Sequence, residues 1–192
     1  EWRMAWVMCT GTANDPAAKL LFGTPAQVSS TPYSDIIAAR AMAEMMQVNM
    51  WVGRKDVLDA LFAELGNRPV TGIAESKIQA TREGRQLMQG APGVSFKCGP
   101  YALDMLLNLG KPTRELNPII EAFKTTEQGT SLADLEQLSA ALGMPMQAVK
   151  RVDPRAPLIV PAVIHWELGH FSALLADNGE TVSLSDRTLD GF

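Results

Sequence analysis

Two short stretches carry residue types that can do covalent chemistry together. Phe96-Lys97-Cys98-Gly99-Pro100 opens a helical pattern, and Gly169-His170-Phe171 opens a strand pattern. A free thiol titrates near about 8.5, and the unpaired N–H groups of a helix N-terminus lower that value by favouring an anion. Gly99 removes side-chain bulk beside the sulfur, and Pro100 suits an early helical position where its missing N–H is harmless. An imidazole within hydrogen-bond reach would turn such a thiol into a nucleophile toward a carbonyl carbon. The same residues also fit a plainer reading, a buried cysteine that begins an amphipathic helix.

The base is chosen from two histidines, His165 and His170. His165 ends the apolar run from Leu158 to Ile164, which reads as a buried strand. His170 starts the next strand, after the turn Trp166 to Gly169, and is the better placed to face a helix end. His165 is then a core or supporting residue, and Trp166 shields the pair from water; both are candidates for the substrate-binding side. Asp186 follows Val182-Ser183-Leu184-Ser185, a strand that Asn178-Gly179 folds back beside the His170 strand. A carboxylate there would hold the imidazole tautomer and stabilise its charged form. Taken alone, Asp186 reads equally as a strand-end aspartate capping a turn, and the two histidine roles can be exchanged.

These residues need elements to position them. Up to about Gly90 the pattern is helical. Asp15-Pro16 starts a short helix through Leu21, and Gly23 to Pro32 is a loop by composition. Ser34 precedes a helix with Ile36, Ile37, Met42, Met45, Met46 and Met50, most of them on one face, which Gly53 ends. A second helix spans Lys55 to Leu65, with Val57, Leu58, Leu61, Phe62 and Leu65 inward and Gly66 as its C′ residue. A third runs from Ile73 to Met88. The methionine face reads as core, with a peptide groove as the alternative. No repeat at a fixed period is visible.

Gln89-Gly90-Ala91-Pro92-Gly93 reads as a linker, and the chain then changes character. Helices are expected from Cys98 to Leu109, from Pro118 to Phe123 behind Asn117, and from Ser131 to Leu142 behind a Ser131–Asp134 capping box. Short strands follow at Gln147–Val152, Leu158–His165, His170–Ala176 and Thr181–Ser185. Helices followed by an antiparallel sheet make an α+β order. The expected organisation is a helical N-terminal region over residues 1–90 and an α+β domain over residues 91–192.

Composition limits the partners. The chain has 192 residues, 46% of them hydrophobic, enough for one full core or for one domain with a small one appended. Its net charge is −4 and its pI about 5.2. Lys and Arg are scattered, so no nucleic acid partner is expected. No apolar stretch is long enough for a transmembrane helix. The first residue is Glu1, which predicts a processed form or a piece of a longer chain. Cys9 lies in an apolar run and reads as a core hydrophobe, and two cysteines so far apart make no disulfide framework. The two histidines and two cysteines lack structural-zinc spacing, and there is no phosphate-binding loop, so no metal and no cofactor is expected.

From about residue 93 to the end, the sequence resembles the C39 family of bacteriocin-processing peptidases and their C39-like relatives. The matching pieces are Cys98-Gly99-Pro100 with Ala102-Leu103, Gly129-Thr130-Ser131-Leu132 with Leu135, and Ala140-Ala141-Leu142-Gly143. Pro161-Ala162-Val163-Ile164-His165-Trp166, His170-Phe171-Ser172-Ala173-Leu174 and Asp186 complete the series. The resemblance implies a papain-like fold with Cys98 as nucleophile, His170 as base and Asp186 as orienter. The family's oxyanion glutamine is replaced by Pro92; Gln89, Gln86 and the Cys98 backbone N–H are the remaining donors. An acidic residue common before the cysteine is Lys97 here, and a proline common after the aspartate is Arg187.

The resemblance implies a bacterial thiol peptidase acting on a peptide or protein, after a Gly-Gly-type leader or in self-processing of a larger secreted, multidomain protein. The helices ahead of the domain argue against a transporter-fused exporter. The altered oxyanion position keeps two alternatives open: a catalytically weak module that binds a peptide or partner protein, and an acyltransferase of the same fold.

Overall fold

The computed structural model describes residues 32–111 and 115–189. Cys9, the helix expected from Asp15-Pro16 and nearly all of the loop before Pro32 lie outside them. The chain divides between Gln86 and Leu87 into two compact units.

The first unit contains helices α1 (Pro32–Trp51) and α2 (Lys55–Leu65) and most of α3 (Ile73–Gly90). α1 buries Ala38, Ala41, Met42 and Met46, positions that recur at helical spacing. The methionines Met42 and Met46 are core, as expected, but Ile36 is 62% exposed. It stands two positions before Ala38, on the far side of the helix from that stripe. α2 buries Leu58, Leu61 and Leu65. Its Phe62 is half-buried, with the Arg82 and Arg85 guanidinium groups over the ring at 5.7 and 5.2 Å. A carboxylate–ammonium contact of 2.8 Å between Glu44 and Lys77 ties α1 to α3.

The second unit holds the short helix α4 (Pro92–Ser95), α5 (Cys98–Leu107), α6 (Pro118–Ala122), α7 (Leu132–Ala141) and the strands β1 (Ala162–His165), β2 (Phe171–Asp177) and β3 (Val182–Ser185). Two of these helices start where side-chain caps dictate. Asn117 Oδ1 accepts the Ile119 N–H at 2.9 Å. At α7, Ser131 Oγ accepts the Asp134 N–H at 3.1 Å while Asp134 accepts the Ser131 N–H at 3.0 Å, a reciprocal capping box. The strands form one antiparallel sheet in the order β1-β2-β3. The β2–β3 connection is closed by Asn178, whose N–H reaches Thr181 O at 3.2 Å and whose Oδ1 accepts the Thr181 N–H at 2.8 Å.

α5 packs across β2 and also meets α6, α7 and β1. The core between them is Ala102 and Leu103 of α5, Ile120, Leu135, Leu138, Phe171 and Ala173. Helices followed by a small antiparallel sheet make the fold α+β.

Three expectations change. Residues 147–152 form no strand: Val149 and Val152 are 69% and 88% exposed, so their alternation has no face to bury. The strand expected from Leu158 starts only at Ala162, because Pro161 has no N–H to give a ladder. The linker expected at 89–93 is helical on both sides of Ala91, since α3 runs through Gly90 and Pro92 opens α4, the position a proline tolerates best.

Candidate active site

Cys98 is the first residue of α5, with Lys97 as its N-cap. It is a half-buried free thiol packed against the core. Gly99 explains how this helix end comes so close to the sheet. A Cβ at that position would lie 3.0 and 3.2 Å from the Leu135 methyls and 3.3 Å from the Phe171 ring. Behind the cysteine, the Lys97 side chain runs inward. Its ammonium donates to the carbonyls of Ile120 and Glu121 at 3.2 and 2.7 Å, at the C-terminal end of α6 where a cation is favoured. Burial lowers the Lys97 pKa, the Lys124 charge lowers it further, and Glu121 opposes both.

His170 is presented by a tight turn. Gly169, at φ 82°, donates to Trp166 O at 2.9 Å, and the Trp166 N–H reaches His170 O at 2.8 Å. A left-handed φ of this kind suits glycine. His170 is 2% exposed. The ladder pairs Ala173 with Ser185, so the next positions outward, Ser172 and Asp186, oppose each other. His170 lies two residues before Ser172 and shares its face by strand alternation.

The side chains follow this register. His170 Nε2 bonds Asp186 Oδ2 at 2.7 Å. Ser172 Oγ donates to the same oxygen at 2.5 Å, and the Trp166 indole N–H donates to Ser172 Oγ at 2.9 Å. Asp186 Oδ1 accepts the N–H groups of Thr188 and Leu189 at 2.9 and 3.3 Å.

With Nε2 committed to Asp186, Nδ1 is the ring nitrogen left for the thiol. It is buried and completes no hydrogen bond, yet Cys98 is close enough to act on the imidazole electrostatically. Such contacts are often loosely aligned before substrate arrives. Burial pushes the His170 pKa down, but Asp186 and Cys98 raise it more strongly, to about 9. Burial pushes the Asp186 carboxyl up, and the His170 and Ser172 hydrogen bonds carry it down to about 2. At neutral pH the pair is therefore an imidazolium and a carboxylate.

The other sequence candidates fall as follows. Trp166 is 38% exposed and joins the cluster through its indole N–H. His165 is exposed rather than core; its ring stacks on Phe171, centroids 4.3 Å apart, on the strand face opposite Ser172. Gln89 and Gln86 are exposed residues of α3, Gln86 in the first unit and Gln89 in the second. Among the described residues, no hydrogen bond ties either to Cys98. Sequence reasoning did not single out Ser172, although alternation from His170 and the hairpin register were the signals that could have found it.

A helix-borne thiol beside an imidazole–carboxylate pair on an antiparallel sheet is the arrangement of a papain-like fold. The model of the Peptidase C39 family matches residues 94–190, half of the chain, and the chain belongs to that family. No curated protein and no solved structure gives a significant match. The matched segment contains Cys98, His170 and Asp186 and begins after both glutamines. Among the described residues, no helix is long and apolar enough to cross a membrane.

Proposed function

We propose that this chain is a cysteine peptidase in which Cys98, His170 and Asp186 act together. The reading rests above all on the 2.7 Å bond between His170 Nε2 and Asp186 Oδ2, inside the segment that the family matches. The Cys98 sulfur attacks the scissile carbonyl carbon, and the carbonyl electrons move onto oxygen. The oxyanion then collapses, the C–N bond breaks and His170 gives its proton to the leaving amine. Water attacks the thioester, with His170 taking its proton, and the acid product leaves as the thiol is restored.

The Cys98 backbone N–H at the start of α5 is one donor to the oxyanion, and Gln89 is the candidate for the second. Trp166, whose indole N–H joins the cluster, lines the substrate side, and His165, on the opposite strand face, supports it through Phe171. The substrate is a peptide or protein, cleaved after a Gly-Gly-type leader or within a larger protein of which this chain is part. We assign the peptidase to the domain from residue 91 onward and treat the helices before it as a separate region. Pro92, which opens α4 where an oxyanion glutamine is expected, favours a second reading: a slow catalyst or a peptide-binding module.

Incubation with a Gly-Gly leader peptide, read by mass spectrometry, tests the proposal. The wild type should cleave it and Cys98→Ala should not, with both proteins folded. Cleavage that survives in Cys98→Ala overturns the peptidase. Peptide binding without a trappable thioester would support the second reading.

A further inference from the structure

Asp104 and Arg187 stand outside the reacting cluster, yet each touches an element that carries part of it. Asp104 lies on α5, the helix that begins at Cys98, and its side chain is 3% exposed. A carboxylate buried this far needs partners. Its Oδ1 accepts the Asn117 N–H at 3.1 Å, and its Oδ2 faces Arg187 Nη1 at 3.5 Å. The same guanidinium lies over the Tyr101 ring, 5.5 Å from its centroid. Tyr101 is also on α5, one turn before Asp104, on the face that residues three apart share. Arg187 therefore grips two side chains of the nucleophile's helix at once.

Arg187 directly follows Asp186. It sits in the turn whose Thr188 and Leu189 N–H groups hold Asp186 Oδ1. A strut from this turn to α5 fixes the distance between the element bearing the carboxylate and the element bearing the thiol. Among the described residues, no other hydrogen bond or ion pair does so without passing through His170 itself. We infer that Arg187 is a positioning residue: with Asp104 and Tyr101 it clamps the Asp186 turn to the Cys98 helix and keeps the imidazole–carboxylate pair in register with the sulfur. The inference rests on the proposed role of Cys98, His170 and Asp186. Arginine suits the task, because one planar group can pair with a carboxylate and stack on an aromatic ring. Lysine keeps the charge and loses the plane.

The test is the rate of Cys98 alkylation by iodoacetamide between pH 5 and pH 10, followed by peptide mapping so that Cys9 does not contribute. Wild type, Arg187→Ala and Arg187→Lys are compared, with urea unfolding run in parallel. The wild type should react readily at pH 6. Arg187→Ala should lose roughly tenfold of that low-pH rate, the scale expected when a reacting group is displaced by a fraction of an ångström, and its unfolding midpoint should fall as well, because the buried Asp104 Oδ2 is left without its cation; Arg187→Lys, which keeps a cation there, separates the two effects. Arg187→Lys should recover part of the loss. On a peptide substrate, kcat should fall in the same order with KM nearly unchanged. A wild-type thiol inert at pH 6 overturns the triad and the clamp together. A reactive wild type whose profile is superimposed by both variants overturns the clamp alone. If Arg187→Ala does not fold, Arg187→Lys decides: an unchanged profile refutes the clamp and a partial loss supports it.

Discussion

Ser172 and Asp186 oppose each other at the end of the β2–β3 ladder, and the Ser172 hydroxyl donates to the Asp186 oxygen that also holds His170. The hydroxyl in turn accepts the Trp166 indole N–H. The carboxylate thus has donors on both oxygens, and its orientation is set before any substrate arrives. Preorganisation of this kind costs nothing at the moment of reaction.

Ser172→Ala should loosen that orientation. Asp186 loses a charge-assisted bond, and the Trp166 indole loses its acceptor. Peptide turnover is expected to fall roughly tenfold, the equivalent of about 1.4 kcal/mol in the barrier, mainly in kcat. Asp186 also loses one of the hydrogen bonds that lower its pKa, so its carboxyl should titrate higher than in the wild type, which an NMR titration of the Asp186 carboxyl would read directly. Ser172→Thr keeps a hydroxyl at the same position and should retain most of the activity. An alanine variant with unchanged kcat and an unchanged Asp186 titration would remove Ser172 from the site.

The pH dependence of folding follows from the two shifts. His170 is raised from 6.5 to about 9, so the folded state binds that proton more tightly than the unfolded chain. Its contribution is complete below pH 6.5 and is lost as the pH rises through about 9. Asp186 is lowered from 3.8 to about 2. Its contribution is complete above pH 3.8 and is lost as the pH falls through about 2. The stability difference between wild type and His170→Gln in urea unfolding should therefore be greatest between pH 4 and pH 6.5 and shrink toward pH 9. A difference that grows with alkaline pH would reverse the assignment of charges.

Much of this site was readable in the sequence, because its parts are local. The thiol's place at a helix start follows from Gly99 and Pro100, and the proximity of His170 to Asp186 follows from the Asn178-Gly179 hairpin. α2 has the bounds the pattern predicts, Lys55–Leu65, since a glycine and a regular apolar stripe define it. What could not be read depends on distant partners. Residues 147–152 alternate like a strand, but a strand needs a neighbour and a buried face, and neither is encoded locally. His165 looked like core because it ends an apolar run, whereas its exposure depends on where the sheet stops. Asp104 and Arg187 are far apart in sequence, and only the packing of α5 beside the Asp186 turn makes them neighbours.

Gly99→Ala should act through packing rather than chemistry. The new methyl would sit 3.0 Å from Leu135 Cδ2 and 3.3 Å from the Phe171 ring, closer than ordinary contact. Overpacking of this kind costs about 1–3 kcal/mol, and here it pushes the first turn of α5, with Cys98, away from β2. Denaturant unfolding should show the loss, and Cys98 alkylation at pH 6 should slow. Shortening the obstacle in Gly99→Ala/Leu135→Ala should cost less stability than the two single losses sum to, because both residues fill the same space. Strict additivity would show that Leu135 does not meet the methyl.

Lys97 separates packing from charge. Its stem fills buried space behind Cys98, and its ammonium bonds the carbonyls of Ile120 and Glu121. Lys97→Met keeps a stem of similar length and removes the charge. It frees the protein from burying an ammonium, and it leaves the Ile120 carbonyl without its donor while the less enclosed Glu121 carbonyl can turn to water. These effects oppose each other, so the net cost should be small, about 1 kcal/mol, near the worth of one ordinary hydrogen bond. Lys97→Ala removes the stem as well and leaves a void, for which about 2–4 kcal/mol is expected by comparison with other large-to-small core changes. Urea unfolding at pH 7 distinguishes the two. Because Lys97 is the residue before Cys98, the alanine variant should also widen the spread of Cys98 positions and slow its alkylation, while the methionine variant should stay close to wild type. Equal destabilisation by both substitutions would place the whole effect in the ammonium and would mean that the stem contributes nothing to holding the start of α5.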